Sequence, residues 1–373
     1  MKLRVASCPF PFRGSFEHAS AVRERAENVI AVAEGTNGQY GLGEGCPRSY
    51  VTGETVATAL DAIARWRRAG IEEIADVAAL TAWMERNRTD IDTNPSAFAA
   101  IEIALLDLFA RQAGQPIEQF LGIAAQDMKL KDMKLKDMEL RTSAVYSAGA
   151  SAKFLVQAAL FNVNGMGTAK LKVSGNAGRD RRRARLLSRF GALRIDANNL
   201  WASADAATAA LKQLQGFAWA VEEPISSRNW QGLADVGAQT GMTIILDESV
   251  TRQDDLAALV SGATYILNAR VSKQGGLLRT LAIIRAARAR GMKIIVGAQV
   301  GETSILARAG IVAARAAATD LVAFEGAFGT RLLVRDAVTP SIGFGYRGRV
   351  RLDQCGGTGL GLTPTAEVAN ACR

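Results

Sequence analysis

AKLKV at residues 169–173, LRID at 193–196, AWAVE at 218–222 and TIILD at 243–247 form a series in which a short apolar stretch carries a charged side chain at or next to its C-terminal end, about every 25 positions. Amphipathic helical stretches separate its members, so the series reads as βα repetition. Extended in both directions, it predicts strands at Leu140–Tyr146, Tyr265–Val271, Lys293–Gly297 and Leu321–Glu325, eight in all. Eight parallel strands with intervening helices predict an α/β fold, a closed (β/α)8-type, modified TIM barrel. Reactive residues in such a barrel stand at the C-terminal ends of the strands.

Upstream of the barrel the pattern is different. Apolar and polar runs alternate up to about residue 60, as at Val29–Ala33 and Tyr40–Glu44, and read as an antiparallel meander. Apolar residues then recur at three- and four-residue spacing over Thr55–Trp66, Ile71–Arg88 and Pro95–Ala113, which predicts helices, the last with Ser96 as its cap. The expected organisation is an α+β capping domain at 1–122, a barrel domain with the catalytic residues at 123–338, and a Gly-rich C-terminal segment at 339–373 that packs back on the first domain. Between the first two, Asp127–Leu140 reads DMKLKDMKLKDMEL, a tandem pentapeptide expected to be a charged connection without a chemical role.

Composition narrows the function. Of 373 residues, 49% are hydrophobic and 22% charged, which suits a folded globular chain and excludes a disordered or collagen-like one. Cys8, Cys46, Cys355 and Cys372 are scattered, without zinc-ligand spacing, and fit a reducing cytoplasm. The segment MKLRVASCPFPFRGSF lacks the apolar core of a secretion signal, and no apolar run is long enough to span a bilayer, so neither secretion nor a membrane is expected. A single histidine, His18, argues against a Ser-His-Asp triad and rules out a multi-histidine metal site. The net charge of +9 invites a nucleic-acid reading, but the densest basic run, Arg179, Arg181, Arg182, Arg183, Arg185 and Arg189, lacks interleaved aromatics. It reads as a solvated helix face, and no nucleic-acid partner is expected.

Lysines and carboxylates must therefore carry the chemistry. Strand ends two to six hold Lys170 and Lys172, Asp196, Glu222, Asp247 and Lys273. Residues two apart on a strand share a face, so both lysines of K-L-K point inward. Asp196, Glu222 and Asp247 end consecutive strands and face the same mouth, a set of hard oxygen donors suited to Mg²⁺ or Mn²⁺. Glu223 competes with Glu222 for the inward position, and Glu222 is taken as the ligand.

With GLGEGCPRSYVTGET and AAIEIALLDLFARQAGQPIEQFLG in the first domain, and K-L-K, D-A-N, E-E-P, D-E-S and K-Q-G-G in order along the barrel, the chain resembles the enolase superfamily in its muconate lactonizing enzyme branch, that of mandelate racemase and muconate lactonizing enzyme. The resemblance implies metal ligation by Asp196, Glu222 and Asp247, acid/base roles for Lys172 and Lys273, and an electrostatic helper in Lys170. It implies a Mg²⁺-dependent isomerase, a cycloisomerase or a racemase/epimerase, that abstracts a proton α to the carboxylate of a small-molecule acid through an enediolate. A lyase of the dehydratase or o-succinylbenzoate synthase kind, or a non-catalytic binding protein, would share the scaffold. A homo-oligomer is also implied. A lysine ordinarily titrates near 10.4, so a base at Lys172 calls for a lowered pKa, which the nearby cationic Lys170 and metal favour.

The resemblance further implies capping loops, at Phe12–Ala19 and Pro47–Thr55, that select the substrate, with His18 and Tyr50 as candidate contacts beside Asn198 of the D-A-N triplet. Glu302 in QVGETS resembles the acid that many relatives place near the second lysine, with helix capping near Ser304 as its other reading. On the eighth strand, dipeptide epimerases generally present an Asp-x-Asp pair for the substrate ammonium, whereas this chain reads VAFEGAF with Glu325 alone. That lone acid is expected to bind a cation, or its apolar neighbours to face a hydrophobic acid.

Overall fold

Three glycines at alternate positions of one strand determine how the N-terminal unit packs. In the computed structural model, which describes residues 1–18, 21–123, 139–149 and 151–372, strands β1 (Lys2–His18), β2 (Ala21–Glu34) and β3 (Tyr40–Gly45) form an antiparallel sheet in that order. Helices α1 (Val56–Arg68), α2 (Val77–Arg86), α3 (Arg88–Thr93), α4 (Pro95–Gln112) and α5 (Ile117–Phe120) follow. Gly41, Gly43 and Gly45 share one face of β3, and a Cβ on any of them would collide with the α4 backbone at Ala104, Ala100 and Ser96 respectively. Two residues of strand advance about 6.6 Å and four of helix about 6 Å, so the two spacings stay matched along the contact. Seated this closely, α4 is buried on all sides from Pro95 to Ala110.

The helix starts differ from expectation in two places. Ser96 lies inside the first turn of α4 and does not cap it. The orphan amides of Ser96 and Ala97 are met instead by the Glu54 carboxylate at 2.9 and 3.0 Å. The expected helix over Ile71–Arg88 is interrupted because Asp76 takes an extended backbone and its side chain accepts from Ala79 N at 2.8 Å, which starts a new helix at Val77.

All eight expected barrel strands form: β4 (Ala144–Tyr146), β5 (Thr168–Lys172), β6 (Ala192–Asp196), β7 (Ala220–Glu222), β8 (Thr243–Leu246), β9 (Tyr265–Ala269), β10 (Lys293–Val296) and β11 (Leu321–Phe324). They pair in parallel, each with its sequence neighbours. A parallel bridge between Thr142 and Phe324, with Ser143 N donating to Phe324 O at 2.7 Å, joins the last strand to the first and closes the ring. Helices α6 (Ser151–Val163), α7 (Ala177–Leu187), α8 (Ala204–Lys212), α9 (Trp230–Thr240), α10 (Leu277–Ala289) and α11 (Ser304–Ala317) alternate with the strands, and a 3₁₀ turn at Gln253–Ala258 stands between β8 and β9. The interior separates into two levels. Ala220, Ile245, Ile266, Ile295 and Ala323 make an apolar plug, and one strand step above it lie the polar residues of the mouth.

The basic run falls on α7 and its C-terminal end, mostly exposed as expected, except that Arg183 turns inward. It donates to the carbonyls of Ser147, Ala148 and Gly149 and lies 4.5 Å over the Phe154 ring. Residues 127–138 of the tandem pentapeptide lie outside the described residues. Among the described residues no helix is long and apolar enough to cross a membrane.

Beyond the barrel come α12 (Gly329–Leu332), the two-stranded pair β12 (Val338–Thr339) and β13 (Thr363–Pro364), and α13 (Ala366–Ala371). This last stretch touches both other parts of the molecule. Leu362 O accepts from Arg111 at 2.6 Å in the N-terminal unit, and Val350 N donates to Leu140 O at 2.9 Å beside β4.

Buried carboxylates from the N-terminal unit hold the starts of two barrel helices. Glu44 accepts from Thr303 N, Thr303 Oγ1 and Leu306 N at 2.9, 2.6 and 3.1 Å, and Glu102 from Leu277 N and Leu278 N at 2.8 and 2.6 Å. Both meet the positive end of a helix, α11 and α10 respectively. Arg308 of α11 reaches Glu118 of α5 in a bidentate pair at 2.6 and 2.8 Å, and its Nε reaches Leu360 O at 3.1 Å. One guanidinium thus joins three parts of the chain.

Two outcomes follow. Arg308→Leu leaves Glu118 buried without its bidentate partner, and a denaturant titration should show a loss of about 3–5 kcal/mol, the usual cost of removing one partner of a buried pair. Burial pushes Glu102 from 4.5 up to about 7. The folded state therefore binds more protons than the unfolded one in that window, and this group's contribution to stability, fully present below about pH 4.5, is lost as pH rises through about 7. In Glu102→Gln the unfolding midpoint should fall less steeply across that interval than in the parent protein.

Candidate active site

The mouth of the barrel is built by strand register. Lys172 of β5 stands opposite Asp196 of β6, and Asp196 opposite Glu222 of β7, so the expected residues lie level at adjacent strand ends, with Asp247 immediately after β8. Each acid meets a cation. Lys172 Nζ lies 2.9 Å from Asp196 Oδ2 and donates to Asn198 Oδ1 at 2.6 Å. Lys170 Nζ reaches Glu325 Oε2 at 2.8 Å, Glu222 Oε2 at 3.3 Å and Asp196 Oδ2 at 3.6 Å. Arg270 bridges Asp247 and Glu222, the latter at 3.5 Å, and Lys273 Nζ donates to Asp247 Oδ1 at 2.8 Å and to the Asp247 carbonyl.

Lysines flank the acid row from opposed sides. β5 and β9 are four strands apart in a ring of eight, so Lys172 at the end of β5 and Lys273 in the turn after β9 stand across the mouth from each other. Their surroundings differ, since Lys172 is half-buried and Lys273 fully enclosed. Burial, reinforced by Arg270, pushes Lys273 down to about 7. Burial also pulls on Lys170, but Glu222, Glu325 and Asp196 outweigh it and hold that amine above the ordinary lysine range. Asp196 shows the converse: burial disfavours its charge, and Lys172 and Lys170 overcome this to keep it well below the carboxylate range. Lys170, expected as an electrostatic helper, is thus engaged chiefly with acids.

Glu222 and Glu223 take opposite sides of the strand end. Glu222 points into the row, where Asn268 Nδ2 also donates to it at 2.9 Å. Glu223, at a φ of 38°, turns to the next loop and accepts from Asp247 N, Ser249 N and Ser249 Oγ at 2.7, 2.7 and 2.8 Å. It holds the backbone that carries Asp247.

The residues expected around the substrate fall in different places. Asn198 is in the mouth, at a φ of 46°, its backbone N–H donating to Asp196 Oδ1 at 3.2 Å. Tyr50 is half-buried in the turn after Arg48. His18 ends β1, and its side chain lies outside the described ones. Glu302 accepts from Gln299 N at 2.6 Å and is pushed by burial up to about 8. It does not cap α11, whose first turn is met by Thr303 and Glu44. Glu325 is held between Lys170 and Arg194, whose Nη2 lies 3.2 Å from Oε1.

Four participants escape the triplet pattern, Arg194, Asn268, Arg270 and Gln299, and a fifth, Glu248, belongs to a triplet that assigns it no role. Alternation alone could have found the first three, because Arg194 is two residues before Asp196 and Asn268 two before Arg270. Glu248 sits in the D-E-S triplet itself, where burial and Glu223 push it up to about 7.

Among the described residues no three carboxylate, imidazole or thiolate side chains are gathered as a formed ion site. The acids are instead linked through shared cations, Lys170 between Asp196 and Glu222, and Arg270 between Glu222 and Asp247. The donor set nonetheless fits a hard divalent ion: three buried carboxylates at adjacent strand ends.

Comparison with known proteins agrees with this architecture. Residues 2–122 match the model of the mandelate racemase/muconate lactonizing enzyme N-terminal domain, and residues 153–368 that of the enolase C-terminal domain-like family. A hydrophobic dipeptide epimerase of Enterococcus faecalis is 28% identical over 329 residues, 84% of this chain and 85% of the relative. The structure of 2-chloromuconate cycloisomerase from Rhodococcus opacus 1CP superposes with a TM-score of 0.83 at 25% identity, covering 100% of this chain and 98% of that one. A dipeptide epimerase from Cytophaga hutchinsonii, complexed with Mg and D-Ala-L-Val, also has a TM-score of 0.83, at 23% identity over 100% of this chain and 97% of that one. With both domain models matched over most of its length, the chain belongs to the mandelate racemase/muconate lactonizing enzyme family of the enolase superfamily.

Proposed function

We propose that the protein is a Mg²⁺-dependent isomerase that moves a proton at the carbon α to a substrate carboxylate, with Asp196, Glu222 and Asp247 as the metal ligands. The family is one whose named relatives are epimerases, racemases and cycloisomerases. The observation that carries the reading is the arrangement of three acids on three adjacent strand ends between two amines on opposed strands. Mn²⁺ shares the oxygen chemistry and should substitute.

A proton α to a carboxylate is weakly acidic because its removal puts a second negative charge on the same two oxygens. Bound at the three acids, the divalent ion supplies positive charge where that second charge develops. The residues do the rest. Lys172 takes or returns the proton on one face of the α-carbon and Lys273 on the other, and each needs its neutral form for the first role and its charged form for the second. Asn198 fixes the Lys172 amine through its 2.6 Å hydrogen bond, and Glu223 keeps the Asp247 loop in place. Lys170 offsets the charge crowding of Asp196, Glu222 and Glu325.

The test is α-proton exchange in D₂O with the Mg²⁺-loaded protein on a panel of small carboxylic acids. The native enzyme should incorporate one deuterium at the α-carbon. Lys172→Ala and Lys273→Ala should each lose exchange with one stereoisomer, by about 10²–10⁴-fold, while still exchanging the other. If both variants lose exchange with both stereoisomers, one lysine moves the proton while the other, across the mouth, steadies the intermediate, as in a cycloisomerase. A product lighter by one water would assign a lyase, and no exchange by metal-loaded protein would overturn the reading.

A second outcome concerns the metal. Asp196→Asn removes one anionic ligand and should weaken Mg²⁺ binding in calorimetry by at least tenfold. Unchanged affinity would place the ion elsewhere.

A further inference from the structure

The end of the eighth strand is already neutralised. Glu325 is 6% exposed, one oxygen receives Lys170 at 2.8 Å, and the other lies 3.2 Å from Arg194. Burial would favour its neutral form, but Lys170 and Arg194 overcome this and hold it below the usual glutamate range. A substrate ammonium at this acid would have to compete with two fixed cations, and like charges at close range in a poorly hydrated mouth repel strongly. No second acid is at hand in this stretch, since the neighbours in LVAFEGAF are apolar or glycine. Just beyond, the Phe328 ring packs on Phe344 at 4.8 Å.

A donor waits on the neighbouring strand end. Gln299, three residues past β10, is 4% exposed, and its Nε2 is buried without a hydrogen-bond partner. Its Oε1 lies 3.5 Å from Arg270 Nη1, which fixes the amide at the edge of the acid row. An amide NH₂ left unsatisfied in such a place costs free energy that an acceptor oxygen on a ligand would recover, whereas an ammonium, which only donates, would not.

Resting on the α-proton reading above, we infer that the substrate is a carboxylic acid without a free ammonium group, and that it presents an acceptor oxygen to Gln299. An N-acylated amino acid, through its acyl carbonyl, and a dicarboxylate, through its second carboxylate, share that chemistry. The α-proton leaves and returns as in the parent reaction, so no further reactant is needed.

The experiment is α-deuterium exchange by the Mg²⁺-loaded full-length enzyme on N-acetyl and N-succinyl amino acids, on 2-substituted succinates, and on free-amino dipeptides carrying the same side chains. Exchange confined to the ammonium-free compounds supports the inference, and the acyl and succinate arms say which source supplies the acceptor. Exchange of the dipeptides at comparable kcat/KM overturns it while leaving the α-proton reading intact, and loss of that exchange in Glu248→Gln would then identify the ammonium's seat. No exchange by any compound, with Mg²⁺ binding intact, overturns both. On a reactive acid, Gln299→Leu should raise KM about three- to tenfold with kcat little changed, the loss of one hydrogen bond. An equal fall in kcat with KM unmoved would show a role in holding the fold rather than the substrate.

Discussion

Charge compensation in a place poor in water governs this barrel. Lys170, Arg194, Arg270 and Lys273 stand in its interior, each less than a tenth exposed, and isolated ions there would be very costly. What makes them tolerable is the ring of carboxylates they meet: Asp196, Glu222, Asp247 and Glu325. The strand register that sets Lys172 against Asp196 and Asp196 against Glu222 therefore fixes electrostatics as well as hydrogen bonding. A shift by one residue would turn Asp196 and Glu222 out toward the helices.

The same constraint reappears at the junction between the N-terminal unit and the barrel. Glu44, Glu102 and Glu118 are all buried, and each is satisfied by the other unit, through helix amides in the first two cases and the Arg308 guanidinium in the third. These contacts hold α10 and α11, the helices that follow β9 and β10. The turn that carries Lys273 and the loop that carries Gln299 run directly into those two helices, so the N-terminal sheet steadies one side of the mouth from outside it.

Much of this was legible because it is local and periodic. The barrel strands follow from apolar runs of fixed spacing, and the mouth from residues that end them. The row Lys172, Asp196, Glu222, Asp247 needed only alternation along strands and order along the chain. Arg194 and Arg270 obey the same alternation but do not belong to the family triplets, so the motif alone does not point to them. What no local pattern carries is a partner far along the chain: Arg308 meets Glu118 across 190 residues, and Glu44 meets Thr303 across 259. Ser96 departs from expectation for a related reason. A serine near a helix start is a good cap on propensity alone, yet tertiary packing brought Glu54 to those amides instead. Glu325 looked available for a ligand because nothing near it in sequence shows the two cations that hold it.

The central claim is spatial: one divalent ion at three strand-end acids, with an amine to either side. Anomalous diffraction from crystals grown with Mn²⁺ addresses it directly. One strong peak within about 2.0–2.4 Å of carboxylate oxygens of Asp196, Glu222 and Asp247, with the Lys172 and Lys273 amines on opposite sides of it, is the expected result. A peak held by other residues, or both amines on one side of the ion, would contradict it.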